Sequence, residues 1–234
     1  MENDIFGAAI TDYFETRIPN SIIVKSNEFD DDEIPIPYLF RTFNEMPKVE
    51  QKALDLSFGK VLDVGCGAGS HSLHLQNEKK LTLTAIDTSA GAVEICKKRG
   101  VTTVLNEDFY IHQGTYDTIL LLMNGSGIVG TLTNFASFFN KLKSLLTSNG
   151  QILIDSSDLI YLFEDENGEY WVDAAQGYYG EMQYQLEYKN KTSQKFDWLY
   201  VDYNTLQRAA AFNNFNCELI IEGAHYDYLA RLTL

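Results

Sequence analysis

Residues 60–76 read KVLDVGCGAGSHSLHLQ, and the reading of this stretch decides the fold. Lys60–Val64 is short, apolar and β-branched, the composition of a strand buried on both faces. It runs straight into glycines at alternate positions, Gly65, Gly67 and Gly69, after which Ser70 can cap a helix. A strand-to-helix turn built on glycine leaves backbone N–H groups free and lets the chain come close to a ligand. The spacing is G-x-G-x-G. The third glycine of the dinucleotide pattern G-x-G-x-x-G falls on Ser70, which argues against a hydride-transfer enzyme.

Working outward, strands alternate with helices. Leu81–Ile86 is a second strand ending at Asp87, and Ser89 opens a helix that closes on Lys97-Lys98-Arg99-Gly100, cations and then glycine as a C-terminus favours. Val101–Leu105 is a third strand leading to Glu107-Asp108, and Tyr116–Met123 a fourth. A helix at Thr133–Thr147 and a fifth strand at Gln151–Asp155 follow. This order predicts an α/β, doubly wound sheet. Residues 159–203 break the rhythm with Tyr, Trp and acids, and EMQYQLEYKN, KTSQ and KFDWLYVD read as a β-hairpin. A helix at Thr205–Phe212 precedes strands at Cys217–Glu222 and Tyr228–Leu234. Only GAHYD separates those strands, so they pair antiparallel. We expect one domain over 1–234: an N-terminal helical cap or lid (1–56), a core (57–158), an insert (159–203) and the end of the sheet (204–234).

Charge and composition exclude several classes. The 234 residues carry 33 acidic and 18 basic side chains, a formal charge of −15. Nucleic-acid binding needs clustered Lys and Arg, so it is disfavoured. A hydrophobic content of 45% excludes a disordered acidic chain. The longest apolar run is far short of the ~20 residues of a membrane span. The N-terminus lacks the positive charge of a signal peptide. Cys66, Cys96 and Cys217 are odd in number and lack metal-ligand spacing, which suits free thiols, a cytoplasmic location and no metal. The acids are uneven: residues 1–40 hold nine against Arg17 and Lys25, and residues 155–188 hold nine with no Lys or Arg.

Two acids raise the value of the glycine loop. Asp87 ends the second strand, where a carboxylate can accept from ribose hydroxyls, and Asp108 ends the third, where it can accept from an adenine amino group. Together, VLDVGCGAGSHSLHL, AIDTS, NEDFY and YDTILLLMN resemble the class I S-adenosylmethionine-dependent methyltransferases over about residues 36–158. The resemblance implies a Rossmann-like, seven-stranded, mostly parallel sheet with an antiparallel last strand. It also implies S-adenosyl-L-methionine as cofactor, leaving S-adenosyl-L-homocysteine, across the C-terminal strand ends. Asp63, Gly65, Cys66, Gly67 and Gly69 would surround the methionine part, Asp87 the ribose, and Asp108 with the Phe109 backbone the adenine. Thr88 and Asn124 complete the set. Methyltransferases of nucleic-acid and glutamine amino groups often follow that Asn with Pro-Pro-Tyr, whereas this chain has Gly125-Ser126.

Methyl transfer demands mainly that nucleophile and methyl be held in line, with a base where the acceptor must lose a proton. Strand polarity puts the segment after the fifth strand and the turn before the last strand at the cofactor edge. His225, whose imidazole type accepts protons near neutral pH, and Asn124 are the catalytic candidates. Arg41, Ser156, Trp171, Tyr178, Tyr179, Tyr184 and Tyr226 are the acceptor-binding candidates; His71 and His74 read as structural or solvent-facing. The leading reading is methyl transfer to a small-molecule acceptor, neutral or cationic if the acidic segments line the mouth rather than merely solvate the surface. A methyltransferase of protein side chains or RNA, and a cofactor-binding module without turnover, are the alternatives. No nucleic-acid or membrane partner is expected, and the oligomeric state is open.

Overall fold

A computed structural model, describing residues 4–172, 175 and 177–234, builds the chain on two sheets. The chain opens with helix α1 (Ile5–Thr16), a hairpin of β1 (Ser21–Ser26) and β2 (Asp32–Pro35), and helix α2 (Lys48–Leu56). The alternating core follows: β3 (Lys60–Val64), α3 (Ser70–Asn77), β4 (Thr82–Asp87), α4 (Ala90–Lys98), β5 (Val104–Asn106), β6 (Tyr116–Leu121), α5 (Phe135–Leu145) and β7 (Leu146–Ser157). Then come β8 (Glu181–Tyr188), β9 (Lys191–Thr192), β10 (Phe196–Leu199), α6 (Tyr203–Phe212), β11 (Asn216–Glu222) and β12 (Asp227–Thr233).

The larger sheet has the order β11-β12-β7-β6-β3-β4-β5. Strands β3 to β7 run parallel, and β12 lies antiparallel between β7 and β11. The seven-stranded architecture is the expected one. Successive strands depart from β3 in opposite directions, which opens a crevice at their C-terminal ends. Helix α5 turns Phe135, Phe138, Phe139, Leu142 and Leu145 inward at helical spacing onto one face. Val49, Ala53, Leu75 and Val93 cover the other. Each of the Val, Leu and Phe side chains contributes roughly 1.5–3 kcal/mol when fully buried.

Two boundaries differ from the sequence reading. The third core strand begins at Val104 rather than Val101, because Val101 is tied back to the end of α4 through its N–H to the Cys96 carbonyl, 3.3 Å. The fifth begins at Leu146, directly after α5, and absorbs Thr147–Gly150 as a bulge between the pairs Tyr116–Leu146 and Thr118–Gln151.

The second sheet was only half legible. The expected hairpin of the insert forms, but β8 also pairs with β1 of the N-terminal segment, giving β10-β8-β1-β2 with β9 beside β8. The N-terminal cap is helical in α1 and α2 and carries a hairpin the sequence reading did not assign. Register sets Asp32, Val24 and Leu186 in one cross-strand row, Ser26, Tyr184 and Phe196 in the next, and Met182 with Trp198 in a third. Side chains alternate along each strand, so these rows share one face.

Two latches join this sheet to the core. Ser156 Oγ donates to Asn124 Oδ1 (3.1 Å) and accepts from the Val201 N–H (2.9 Å), while Ser126 Oγ donates to the Leu199 carbonyl (2.9 Å). Beside them the Trp198 ring lies so close to Gly127 that a Cβ there would sit 1.9 Å from Cε2. On the other side Asp4 caps α1 through the Gly7 N–H (2.8 Å) and accepts from Ser89 Oγ and the Gly91 N–H, each at 3.0 Å. One carboxylate thus serves the N-termini of two helices. Ser70 Oγ donates to the Leu39 carbonyl (2.8 Å), so the N-terminal segment closes over the glycine loop of its own chain.

Candidate active site

Strand β3 ends in a loop knit to its neighbour: the N–H groups of Gly65 and Cys66 both donate to the Ile86 carbonyl, at 2.9 and 3.1 Å. Gly65 and Gly67 have φ of +72° and +51°, and a Cβ on either would meet open space, so the loop borders a cavity with bare backbone. Gly69 lies behind it, where a Cβ would stand 2.6 Å from Cys96 Sγ. Contact with Cys96 and burial push the Cys66 thiol well above its ordinary range, which leaves it an unreactive thiol.

The acids named from the sequence converge here. Asp87 accepts from the Gly67 N–H through Oδ2 and from the Ser89 N–H through Oδ1, both at 2.8 Å. Burial raises its carboxyl, and those two bonds oppose the rise. Asp63 accepts from Ser72 Oγ at 2.5 Å; burial raises it, against His71 and Ser72. Asp108 accepts from the Tyr110 N–H at 2.7 Å, in a turn that brings Phe109 to the same wall. The cavity has a volume of about 1240 Å³ and is walled by Asp63, Gly65, Cys66, Gly67, Asp87, Thr88, Asp108, Phe109 and Asn124. The volume exceeds the roughly 300–1,000 Å³ typical of one small-ligand site. Bare loop backbone, paired strand-end carboxylates and this volume together fit S-adenosylmethionine.

Both catalytic candidates, Asn124 and His225, line the cavity, as do Arg41 and Tyr184 of the acceptor-binding candidates. Arg41 reaches the cavity from a buried position. It is 6% exposed, stacks over Tyr38 at 3.9 Å and donates through Nη2 to Glu50, which His71 Nε2 also contacts at 2.6 Å. Burial raises the Glu50 carboxyl, but His71 and Arg41 outweigh it and hold the group below its ordinary range. Arg41 Nε is buried and finds no partner among the described residues. His71, read from sequence as structural or solvent-facing, is buried in this network and reaches the cavity wall; Glu50 was not singled out at all.

The remaining candidates lie elsewhere. Ser156 is buried and its hydroxyl is spent on the latch between Asn124 and Val201, just after β10. Tyr178 donates to Asp202, the N-cap of α6, and Tyr179 to Asp158 of the core, each at 2.7 Å, so both hydroxyls hold the insert in place. Trp171 is 71% exposed, and Tyr226 stacks on the outer side of Tyr161, 5.2 Å between centroids. The far wall is made instead by the shared face of the second sheet, including Val24, Met182, Tyr184, Phe196 and Trp198, with Tyr161 and Tyr200 beside it. The alternation of Met182, Tyr184 and Leu186 with Gln183, Gln185 and Glu187 was the signal available for that wall.

Asp155, two residues before the end of β7, lies just behind the wall and accepts from the N–H groups of Met123 (3.0 Å) and Gly125 (2.9 Å). It thereby holds a turn in which Met123 and Asn124 both have positive φ. Burial pushes its carboxyl up to about 7. Among the described residues no cluster of His, Cys, Asp or Glu could hold a metal ion, and no helix is long and apolar enough to cross a membrane. Glu2 and Asp173, counted among the acids, lie outside the described residues.

Comparison with known proteins gives a consistent result. The family described as a methyltransferase domain matches residues 61–150. No curated protein matches the chain. Among solved structures, a SAM-dependent methyltransferase from Bacteroides fragilis in complex with S-adenosyl-L-homocysteine is 48% identical, covers 100% of this chain and 95% of its own, and superposes with a TM-score of 0.93. A DhpI–SAM–HEP complex is 14% identical over 98% of this chain and 94% of its own, TM-score 0.63. The sugar N-methyltransferase KedS8 from Streptoalloteichus sp ATCC 53650 is 15% identical over 89% and 96%, TM-score 0.57. These last two share the fold.

Proposed function

Because this chain belongs to the S-adenosylmethionine-dependent methyltransferases, we propose that it methylates a small-molecule acceptor bound between the C-terminal strand ends and the second sheet. One observation carries this reading: a single cavity runs from the glycine loop to the inner face of that sheet, under the N-terminal segment. A chamber closed over in this way suits a small molecule better than a polymer, and its acids without lysine favour a neutral or cationic acceptor.

When bound, S-adenosylmethionine supplies a methyl group on an electrophilic sulfonium. The chain then has three tasks. Asp87 and Thr88 hold ribose hydroxyls, Asp108 and the Phe109 backbone hold the adenine, and the Gly65–Gly69 loop with Asp63 holds the amino-acid end. Arg41, fixed by Glu50, has an unpaired Nε suited to a carboxylate oxygen. The latched turn at Asn124 fixes the near wall, so the acceptor is oriented by a preorganised surface. His225, at the exposed edge of the cavity, accepts the proton of an acceptor that must lose one.

The test is a panel of small amines, carboxylates, phenols and thiols together with a basic peptide and a short RNA, scored by S-adenosylhomocysteine release. Turnover of a small acceptor is expected, and turnover confined to peptide or RNA overturns the reading. With that acceptor, His225→Ala should lower kcat by roughly 10²–10⁴; unchanged kcat removes His225 from the chemistry.

A further inference from the structure

Beyond the strand ends the cavity changes character. Tyr184 and Tyr200 meet edge to face, with centroids 6.3 Å apart and planes at 90°, and Tyr161 lines the same space. Asp32, on the adjacent cross-strand row, lines it too. Burial pushes all three phenols up, and the Asp32 carboxylate adds to the rise in each, so its field reaches the whole group. Asp32 Oδ1 accepts from the Glu33 N–H at 2.7 Å, and among the described residues no Lys or Arg ion-pairs with it. The cavity wall carries no lysine, and the charge of its arginine, Arg41, is countered by Glu50. Ring faces beside a carboxylate, with no resident cation, attract a cationic nitrogen and repel an anion.

We propose that the acceptor carries an ammonium group that docks among Asp32, Tyr161, Tyr184 and Tyr200, with an apolar body against Met182 and Trp198. This rests on the small-molecule reading above and narrows it to amphipathic amines. A nitrogen that stays protonated has no lone pair, so in this cage it is a handle that positions the acceptor and not the methylated atom. Specificity then resides in the second sheet, apart from the residues that serve the cofactor.

The experiment titrates the full chain, loaded with S-adenosylhomocysteine so that no turnover occurs, with phenethylamine, phenethyl alcohol and hydrocinnamate. The three share a phenethyl body and differ in head-group charge. The amine is expected to bind at least about tenfold more tightly than the alcohol, with the carboxylate weakest. Asp32→Asn and Tyr184→Leu should each bring the amine to the level of the alcohol, leaving the alcohol within about twofold and S-adenosylhomocysteine affinity unchanged. The proposal is overturned if the alcohol or carboxylate binds as well as the amine, if none of the three binds, or if the amine preference survives Asp32→Asn. Such a failure with S-adenosylhomocysteine bound removes the cage alone, whereas turnover confined to peptide or RNA removes the small-molecule reading.

Discussion

Asp155 shows how a single side chain supports the site without lining it. Its two oxygens hold the Met123-Asn124-Gly125 turn, and burial raises its carboxyl to about 7. A raised carboxyl favours the protonated form in the fold, so its contribution to stability is complete below the ordinary carboxylate range and is lost as pH rises through about 7. Wild type should therefore lose more melting temperature than Asp155→Asn between about pH 5 and pH 8; parallel curves would contradict this. Arg41 makes a different prediction. Replacing it by Ala leaves Glu50 buried with no guanidinium partner and only the His71 ring beside it, and breaking a buried pair costs about 3–5 kcal/mol. Arg41→Ala should unfold at markedly lower urea, whereas Glu50→Gln, which removes the charge that needs compensation, should be milder; equal losses would argue against this account of the cluster.

At the scale of elements, the second sheet depends on close contact with the core at Gly127. A methyl group there would overlap the Trp198 ring, so Gly127→Ala must push β10 away. We expect a loss of about 1–3 kcal/mol and, with Trp171→Phe removing the other tryptophan, a shift in Trp198 emission. Unchanged emission would show that β10 does not rest on this glycine. The same sheet marks the boundary of what sequence reveals. Strands β3, β4, β6 and β7 are legible because each is an apolar run bounded by turn residues, and the residues proposed for the cofactor because they sit where such strands end. The pairing of β1 with β8 joins residues such as Ser26 and Tyr184, far apart in the chain, and no local pattern announces it. Trp171, Tyr178 and Tyr179 were chosen by residue type, whereas Met182, Phe196 and Trp198 reach the cavity by register. Glu50 stayed hidden for the same reason, since only the closed N-terminal segment brings it to Arg41 and His71.

At the scale of the whole molecule, the charge of −15 acquires a position. Asp30, Asp31 and Asp32 border the cavity, as do Asp4, Glu107 and Asp108, so part of the excess negative charge faces the ligand space. Raising ionic strength should therefore weaken a cationic acceptor more than its uncharged counterpart, read as a rise in KM for the amine alone. The N-terminal segment, the core and the insert all contribute walls to this one cavity, which makes the molecule a frame for bringing a cofactor and an acceptor together. The most direct test of that claim is calorimetric titration of S-adenosylhomocysteine into wild type and Asp87→Ala. Asp87 joins the glycine loop to the start of α4 through two N–H bonds and is the carboxylate we propose for the ribose hydroxyls. The account predicts one site per chain in wild type and a loss of at least about tenfold in affinity in the variant, the scale of a hydrogen bond to a charged group. Binding of equal strength in both proteins would contradict it.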